Sequence, residues 1–239
     1  MTWLALDTAT DRASVALGAS AGDAVEESLS GARRHAAALV PMIDRLLARR
    51  GVGLDALRGI ALSDGPGSFT GLRVGAATAK ALARARGLEV HVAPSLMVRA
   101  AARAQPGATV LAVANALRGE VYAAVYRFEP ADIVTLLAPS VWRVDSLLGR
   151  APRPDHIIGD GPPDALRMLS QWAEQDVIGG DDGFPRAALL LNLLRRPGGA
   201  RLVPNLDLWE PEYGRPAEAQ ARWELAHGRP LPDSVGSAG

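Results

Sequence analysis

Between positions 65 and 71 the chain reads Gly65-Pro-Gly67-Ser68-Phe69-Thr70-Gly71, directly ahead of a run with helical periodicity. Glycines in such a stretch allow left-handed backbone and close approach of another segment, and Ser68 or Thr70 can cap the following helix. A glycine-rich turn at a helix N-terminus can also hold an anion on its backbone N–H groups. Gly65, Gly67, Ser68 and Thr70 are therefore candidate nucleotide or anion ligands, with a tight turn and cap as the plainer alternative. No Gly-Lys-Ser/Thr follows, so this is not the phosphate loop of that signature. Nor does the stretch centre a serine between glycines as a nucleophile elbow does. A second group, Asp7, Thr8 and Thr10, lies in the turn-prone Asp7-Thr-Ala-Thr-Asp11. Asp7 could hold Mg²⁺ through water with the hydroxyls facing phosphate; alternatively the three make an Asx-type turn.

A third feature is structural rather than chemical. From Gly71 to Arg86 the residues Gly71, Gly75, Ala76, Ala79 and Ala83 recur at helical spacing and form one small-residue face. Such a face lets another element approach closely. That element is either the chain's own sheet or a partner. The four histidines, His35, His91, His156 and His227, contain no pair at metal-binding spacing; four residues after His35 stands Leu39. A metal site is not expected. The pairs Arg33-Arg34, Arg49-Arg50 and Arg195-Arg196 read as solvated helix ends; near helix C-termini, Arg49, Arg50 and Arg195 also complement the helix dipole.

These residues need elements to position them. Trp3–Leu6, Ala13–Gly18 and Ala24–Leu29 read as three strands, followed by a helix over 33–50 interrupted by Pro41. Gly59–Leu62 is the next strand, the glycine loop opens a helix ending at Gly87, and Leu88–Val92 is a further strand before a helix that starts at Pro94-Ser95. After Gln105-Pro-Gly107 the plan begins again. Strands are expected at Thr109–Ala114, Glu120–Phe128 and Ile133–Leu137, then a helix (Val144–Leu148), a strand (His156–Ile158) and a helix (Pro163–Trp172). Residues 177–186 read as loop, and Ala187–Arg195 and Glu218–Ala226 as helices. The doubled element order predicts two α/β halves, 1–104 and 105–210. The terminal helix near 216–226 is expected to rejoin the first half, and 227–239 to be a flexible tail.

Composition limits the function. The 26 basic and 26 acidic side chains give no net charge, which argues against tight binding of nucleic acid by this chain alone. With no cysteine, disulfides, thiolate metal sites and cysteine nucleophiles are excluded. Neither a signal-peptide pattern nor a run long enough to span a bilayer is expected, which reads as a cytoplasmic protein.

The loop Gly65-Pro-Gly-Ser-Phe-Thr-Gly-Leu-Arg-Val-Gly75 closely resembles the TsaB (YeaZ) family of tRNA threonylcarbamoyladenosine biosynthesis proteins. So do Leu4-Ala-Leu-Asp-Thr-Ala-Thr10 with Ser14-Val-Ala-Leu17, and His35 with Leu39-Val-Pro-Met-Ile43. Gly119-Glu-Val-Tyr122 with Val125-Tyr126, Gly159-Asp-Gly161, and Pro211-Glu-Tyr213 with Arg215 follow in family order, so the resemblance covers residues 2–225. It implies an actin-like ATPase (ASKHA) fold of two ribonuclease-H-like halves with mixed sheets. It also implies a non-catalytic scaffold that pairs with TsaD, helps recruit the ATPase TsaE, and meets tRNA only through the complex. The chain would have no cofactor of its own, with ATP or ADP and Mg²⁺ held only in the complex. The paired surface would comprise the first two helices, with His35, Leu39, Met42, Ile43, Leu46, Phe69, Leu72, Gly75, Ala76, Ala79 and Ala83, and a related surface can give homodimers.

Two departures stand out. Asn115-Ala-Leu-Arg118 replaces a family Asp-Ala-Arg segment, and Ser63-Asp64 stands where Gly-Arg is common. A stand-alone actin-fold ATPase or small-molecule kinase is the alternative. It would need an adenosine pocket, for which Gly179-Gly180 is a weak candidate. A glycoprotease lacks a nucleophile–base pair here, while a binding module for another partner could use the same helix face.

Overall fold

Strand β1 (Thr2–Asp7) pairs antiparallel with β2 (Arg12–Gly18), which pairs antiparallel with β3 (Val25–Ser30). The structure, a computed structural model, describes residues 2–31 and 35–214, apart from the side chain of His35. The expected C-terminal helix at 216–226, the tail at 227–239 and Arg215 lie outside the described residues. Helix α1 (His35–Arg50) crosses to β4 (Leu57–Ser63), parallel to β1, and α2 (Phe69–Arg86) crosses to β5 (Glu89–Ala93), parallel to β4. Pro41 removes one intrahelical N–H from α1. It sits on the solvent face, where water can take up the freed carbonyl.

Helix α3 (Ser95–Ala100) leads to a second set: β6 (Ala108–Asn115), β7 (Val121–Phe128), β8 (Ile133–Trp142), α4 (Val144–Leu148), β9 (His156–Gly159), α5 (Pro163–Ala173) and β10 (Val177–Ile178). Across the first sheet the order is β11-β5-β4-β1-β2-β3, where β11 is the two-residue strand Arg201–Leu202, and across the second β10-β9-β6-β7-β8. Leaving β11 aside, the two orders are the same plan, as the doubled element order predicts. β8 runs five residues beyond the expected end at Leu137, through register shifts opposite Ala123–Tyr126. The expected loop at 177–186 holds the two-residue β10 and a one-turn helix, α6 (Gly180–Gly183).

The chain returns to the first half earlier than the expected boundary at 210. Helix α7 (Ala187–Leu193) packs against β1, β2 and β4, and β11 (Arg201–Leu202) pairs with β5. The N–H groups of Ala187 and Ala188 donate to Ser14 Oγ (3.1 Å) and Glu26 Oε1 (3.1 Å). A carboxylate at a helix start is favourable with the dipole, so β2 and β3 supply the cap that α7 lacks in its own sequence.

Apolar periodicity sets the layers. Leu4, Leu6, Val15 and Leu17 face α1 and α2, while Ala5, Ala16 and Ala61 form a register row on the opposite face. Ala112 opposes Ala124 in the second sheet. These alanine rows let α3 and α7 lie close between the sheets. Leu111, Val113 and Val125 face the other way, toward α4 and α5. Among the described residues, no helix is long and apolar enough to cross a membrane.

Candidate functional site

The candidate residues at the carboxyl ends of β1 and β4 do come together. Gly67, Gly71 and Gly75 lie where a Cβ would collide with the Ala9 carbonyl, the Thr8 carbonyl and the Thr8 hydroxyl, respectively. The glycines therefore let the loop and α2 press directly onto the β1–β2 turn. Ser68 N–H donates to Ala9 O (2.7 Å), and the Thr8 hydroxyl donates to Gly71 O (2.8 Å). Ser68 caps α2 by accepting from Gly71 N–H (3.2 Å), and Gly87 ends the helix in left-handed geometry at φ +65°. Gly65 N–H is held by Ser95 Oγ (3.0 Å).

Asp7 and Thr8 are fully buried. Asp7 Oδ1 accepts from Ala9 N–H (3.2 Å), and Thr10 Oγ1 bonds the Arg12 carbonyl and N–H at 3.0 and 3.2 Å, as turn-forming side chains do. Asp7 Oδ2 and the neighbouring Ser63 hydroxyl are buried without a partner of good geometry. Burial pushes the Asp7 carboxyl up to about 6, against the lowering influence of Ser63, the Ala9 amide and the Arg99 guanidinium. A phosphate here would have to displace Ser68 N–H from Ala9, Thr8 from Gly71 and the Ser68 cap. As arranged, Asp7, Thr8, Thr10, Gly65, Gly67 and Ser68 do not fit a phosphate group. Thr70 is exposed on the first turn of α2. Among the described residues no three His, Asp or Glu side chains cluster as metal ligands. Gly179-Gly180 links β10 to α6.

The helix residues divide into two faces. Leu39, Met42, Ile43 and Leu46 of α1, with Ala76, Ala79 and Ala83 of α2, are buried against the sheet, as are Leu72 and Gly75. Of the two alternatives for the small-residue face, the chain's own sheet fills it. The outward stripe of α1 is Ala37, Val40, Pro41, Asp44 and Ala48, and Ala77 and Ala81 are its exposed counterparts on α2. Phe69 is half-buried and packs against Tyr213 with centroids 4.6 Å apart and ring planes tilted by 43°, and Arg73 lies 4.2 Å over the Phe69 ring.

Sequence reasoning missed the segment that flanks α2. Arg73, Lys80 and Arg84 share a stripe facing residues 205–213. Lys80 pairs with Glu210 at 2.9 Å, Arg84 pairs with Asp207, and the Trp209 ring is buried under Lys80. Lys80 is the only lysine in the chain, which was its one visible signal. Asp64, one of the two departures from the family pattern, points inward. It is buried and pairs with Arg201 at 2.8 Å, and its carbonyl accepts from Glu212 N–H (2.7 Å). Burial pushes its carboxyl up to about 7; Arg201 lowers it in part and Glu212 raises it further. Asn115 accepts from Leu117 N–H (2.8 Å) and thereby braces a turn in which Leu117, Arg118 and Gly119 all have positive φ. A cavity of about 330 Å³ lies between Pro66, Tyr122, Ser140, Glu212 and Gly214.

Two mixed sheets of one strand order, enclosing a shared helical layer and carrying their turns at the same strand ends, define the actin-like (ASKHA) fold of two ribonuclease-H-like halves. The family model described as "TsaD: tRNA N6-adenosine threonylcarbamoyltransferase" matches residues 29–177, more than half of the chain. The tRNA threonylcarbamoyladenosine biosynthesis protein TsaB of Haemophilus influenzae is 33% identical over 204 residues, covering 81% of this chain and 84% of that protein. The Escherichia coli TsaB is 39% identical over 126 residues, 52% of this chain and 54% of its own length. The solved structure of YeaZ from Pseudomonas aeruginosa superposes with a TM-score of 0.65 at 30% identity, covering 81% of this chain and 90% of that one. The chain belongs to the TsaB (YeaZ) family of tRNA threonylcarbamoyladenosine biosynthesis proteins.

Proposed function

We propose that this chain is a non-catalytic scaffold subunit for threonylcarbamoyl transfer to the adenosine 3′ of the tRNA anticodon. It pairs with TsaD through the outward face of α1 and α2, helps recruit the ATPase TsaE, and works in the cytoplasm. It contacts tRNA only through the complex, and ATP or ADP with Mg²⁺ is held only there. The observation that carries this reading is the contrast between two surfaces. The strand-end turn that could host chemistry is closed, with Asp7 and Thr8 both 0% exposed. The α1–α2 face instead presents small apolar side chains around Val40, which is 52% exposed. Alanine, valine and proline lose little side-chain entropy on being covered, and a low-charge apolar patch suits the centre of an interface.

The test is size-exclusion chromatography with light scattering, using this protein alone and mixed with the TsaD of the same cell. Val40→Arg combined with Ala77→Arg replaces two outward side chains and should leave stability within about 0.5 kcal/mol. A one-to-one complex that this folded double variant loses supports the pairing. Absence of a complex with ATP, with ADP and without nucleotide overturns it.

A further inference from the structure

The largest fully buried side chain in the described residues is charged: Arg99, 1% exposed, on α3 between the two halves. Its neighbours Leu96, Met97, Val98 and Ala100 are core residues. Its Nη1 donates to the Val113 carbonyl near the end of β6 and pairs with Asp160 Oδ1, just past β9, at 2.6 Å. Asp160 also accepts from Asn115 N–H at 3.3 Å, and its own N–H reaches Val113 O at 3.3 Å. Gly159 has φ +138°, and a Cβ there would run into Val113 O and the Arg99 guanidinium. The backbone is thus shaped to admit this cation. At its start the same helix is bonded to the first half: Gly65 N–H donates to Ser95 Oγ (3.0 Å) and Ser95 N–H to Gly65 O (2.7 Å).

Arg99 therefore stands at the carboxyl ends of β6 and β9, with the Asp160 carboxylate beside it. This is where an open α/β sheet ordinarily receives its ligand. We propose that Arg99 is an internal fastener. Its guanidinium ties the linker helix to the ends of β6 and β9 while Ser95 of the same helix holds Gly65 of the first half, so that the chain sets the relative position of its halves without a bound nucleotide. The inference deepens the scaffold reading, because such a subunit would present its α1–α2 face in one fixed geometry whatever the nucleotide level. A buried guanidinium is destabilising when its carboxylate is removed, so the Asp160 pairing is part of the tie.

The absence of cysteine permits clean labelling of the full chain. Ala48→Cys on α1 and Gln171→Cys on α5, both exposed, take spin labels for distance measurement by pulsed electron resonance. The expected result is one narrow distance distribution, unchanged by millimolar Mg²⁺-ATP. Asp160→Asn, which alters an exposed side chain and removes the ion pair alone, should broaden it. Arg99→Met should broaden it further and lower the melting temperature by roughly 10 °C. If Arg99→Met does not fold, Asp160→Asn decides. An Asp160→Asn distribution identical to the parent's, or a shift of the parent's distance on adding Mg²⁺-ATP, overturns the fastener. Pairing with TsaD is read separately by light scattering, so loss of the fastener leaves the scaffold reading standing.

Discussion

The turn after β1 and the turn after β6 occupy equivalent places in the two halves, yet they are closed by different means. After β1, Asp7 and Thr8 are covered by backbone: the glycine loop and α2 lie on the turn with no side chain of their own at the contact. After β6, Asn115 and Leu117 are exposed, Leu117 by 63%, and the strand ends are held by the Arg99 guanidinium and Asp160. One half uses close packing, which is short-ranged and intolerant of any added atom. The other uses charge, which allows an open, strained turn above it. The outer helices follow the same divide. The first half carries helices of 16 and 18 residues and the second helices of 5 and 11. Among the described residues, only the first offers a broad helical face.

The sharpest way to break this comparison is to add one methyl group to each turn. Gly71→Ala drives a Cβ into the Thr8 carbonyl, backbone against backbone. It should destabilise the fold by about 3 kcal/mol or more, read by urea unfolding. Gly119→Ala has open space around it and a φ of +78°. It should cost only about 1 kcal/mol. Equal losses at the two sites would erase the distinction.

A smaller effect concerns pH. The folded-state carboxyls of Asp7 and Asp64 titrate near 6 and 7, above the ordinary carboxylate range near 4. The folded chain thus holds protons that the unfolded chain releases. Stability is fully present below about pH 4 for these groups and is lost as pH rises through 6 to 7. Urea midpoints should therefore be higher at pH 5.5 than at pH 8. Asp7→Asn keeps the Ala9 bond and gives Ser63 a donor. It should match the parent below about pH 4 and exceed it by about 3 kcal/mol at pH 8. A variant that tracks the parent at both pH values would show that Asp7 does not bury a costly charge. The smallest change expected is at Leu117→Gly, which relieves left-handed strain at some cost in unfolded-chain entropy, for a gain of about 0.5 kcal/mol by the same unfolding assay.

Much of this was legible in the residues. Alternation in Leu4-Ala-Leu6 and the repeat of three strands before a helix mark both sheets, because period-two burial and turn residues are local signals. The glycine loop was legible as a close-approach element, although not as one whose partner is the β1–β2 turn. The division of α1 into a buried stripe at Leu39, Met42 and Ile43 and an outward stripe at Val40 and Pro41 was written in the spacing. Which of the two would meet another protein was not. Arg99 was hidden because a single arginine in an apolar helix looks like a surface position, and its carboxylate lies 61 residues away. β11 was hidden because two residues have no periodicity; they become a strand only when β5 offers an edge.

That late strand has a consequence for how the protein is made. Val203 and Trp209 are members of the core beneath α1 and α2, and α7 lies across β1, β2 and β4. When a ribosome has released the first hundred residues, the amino-terminal half has its helices and five of its strands but lacks the pieces that seal both of its faces. Its folding must wait for more than another hundred residues of synthesis, with the alanine rows of β1, β2 and β4 uncovered in the meantime. A chain that stops before Trp209 would leave the core beneath α1 and α2 incompletely covered.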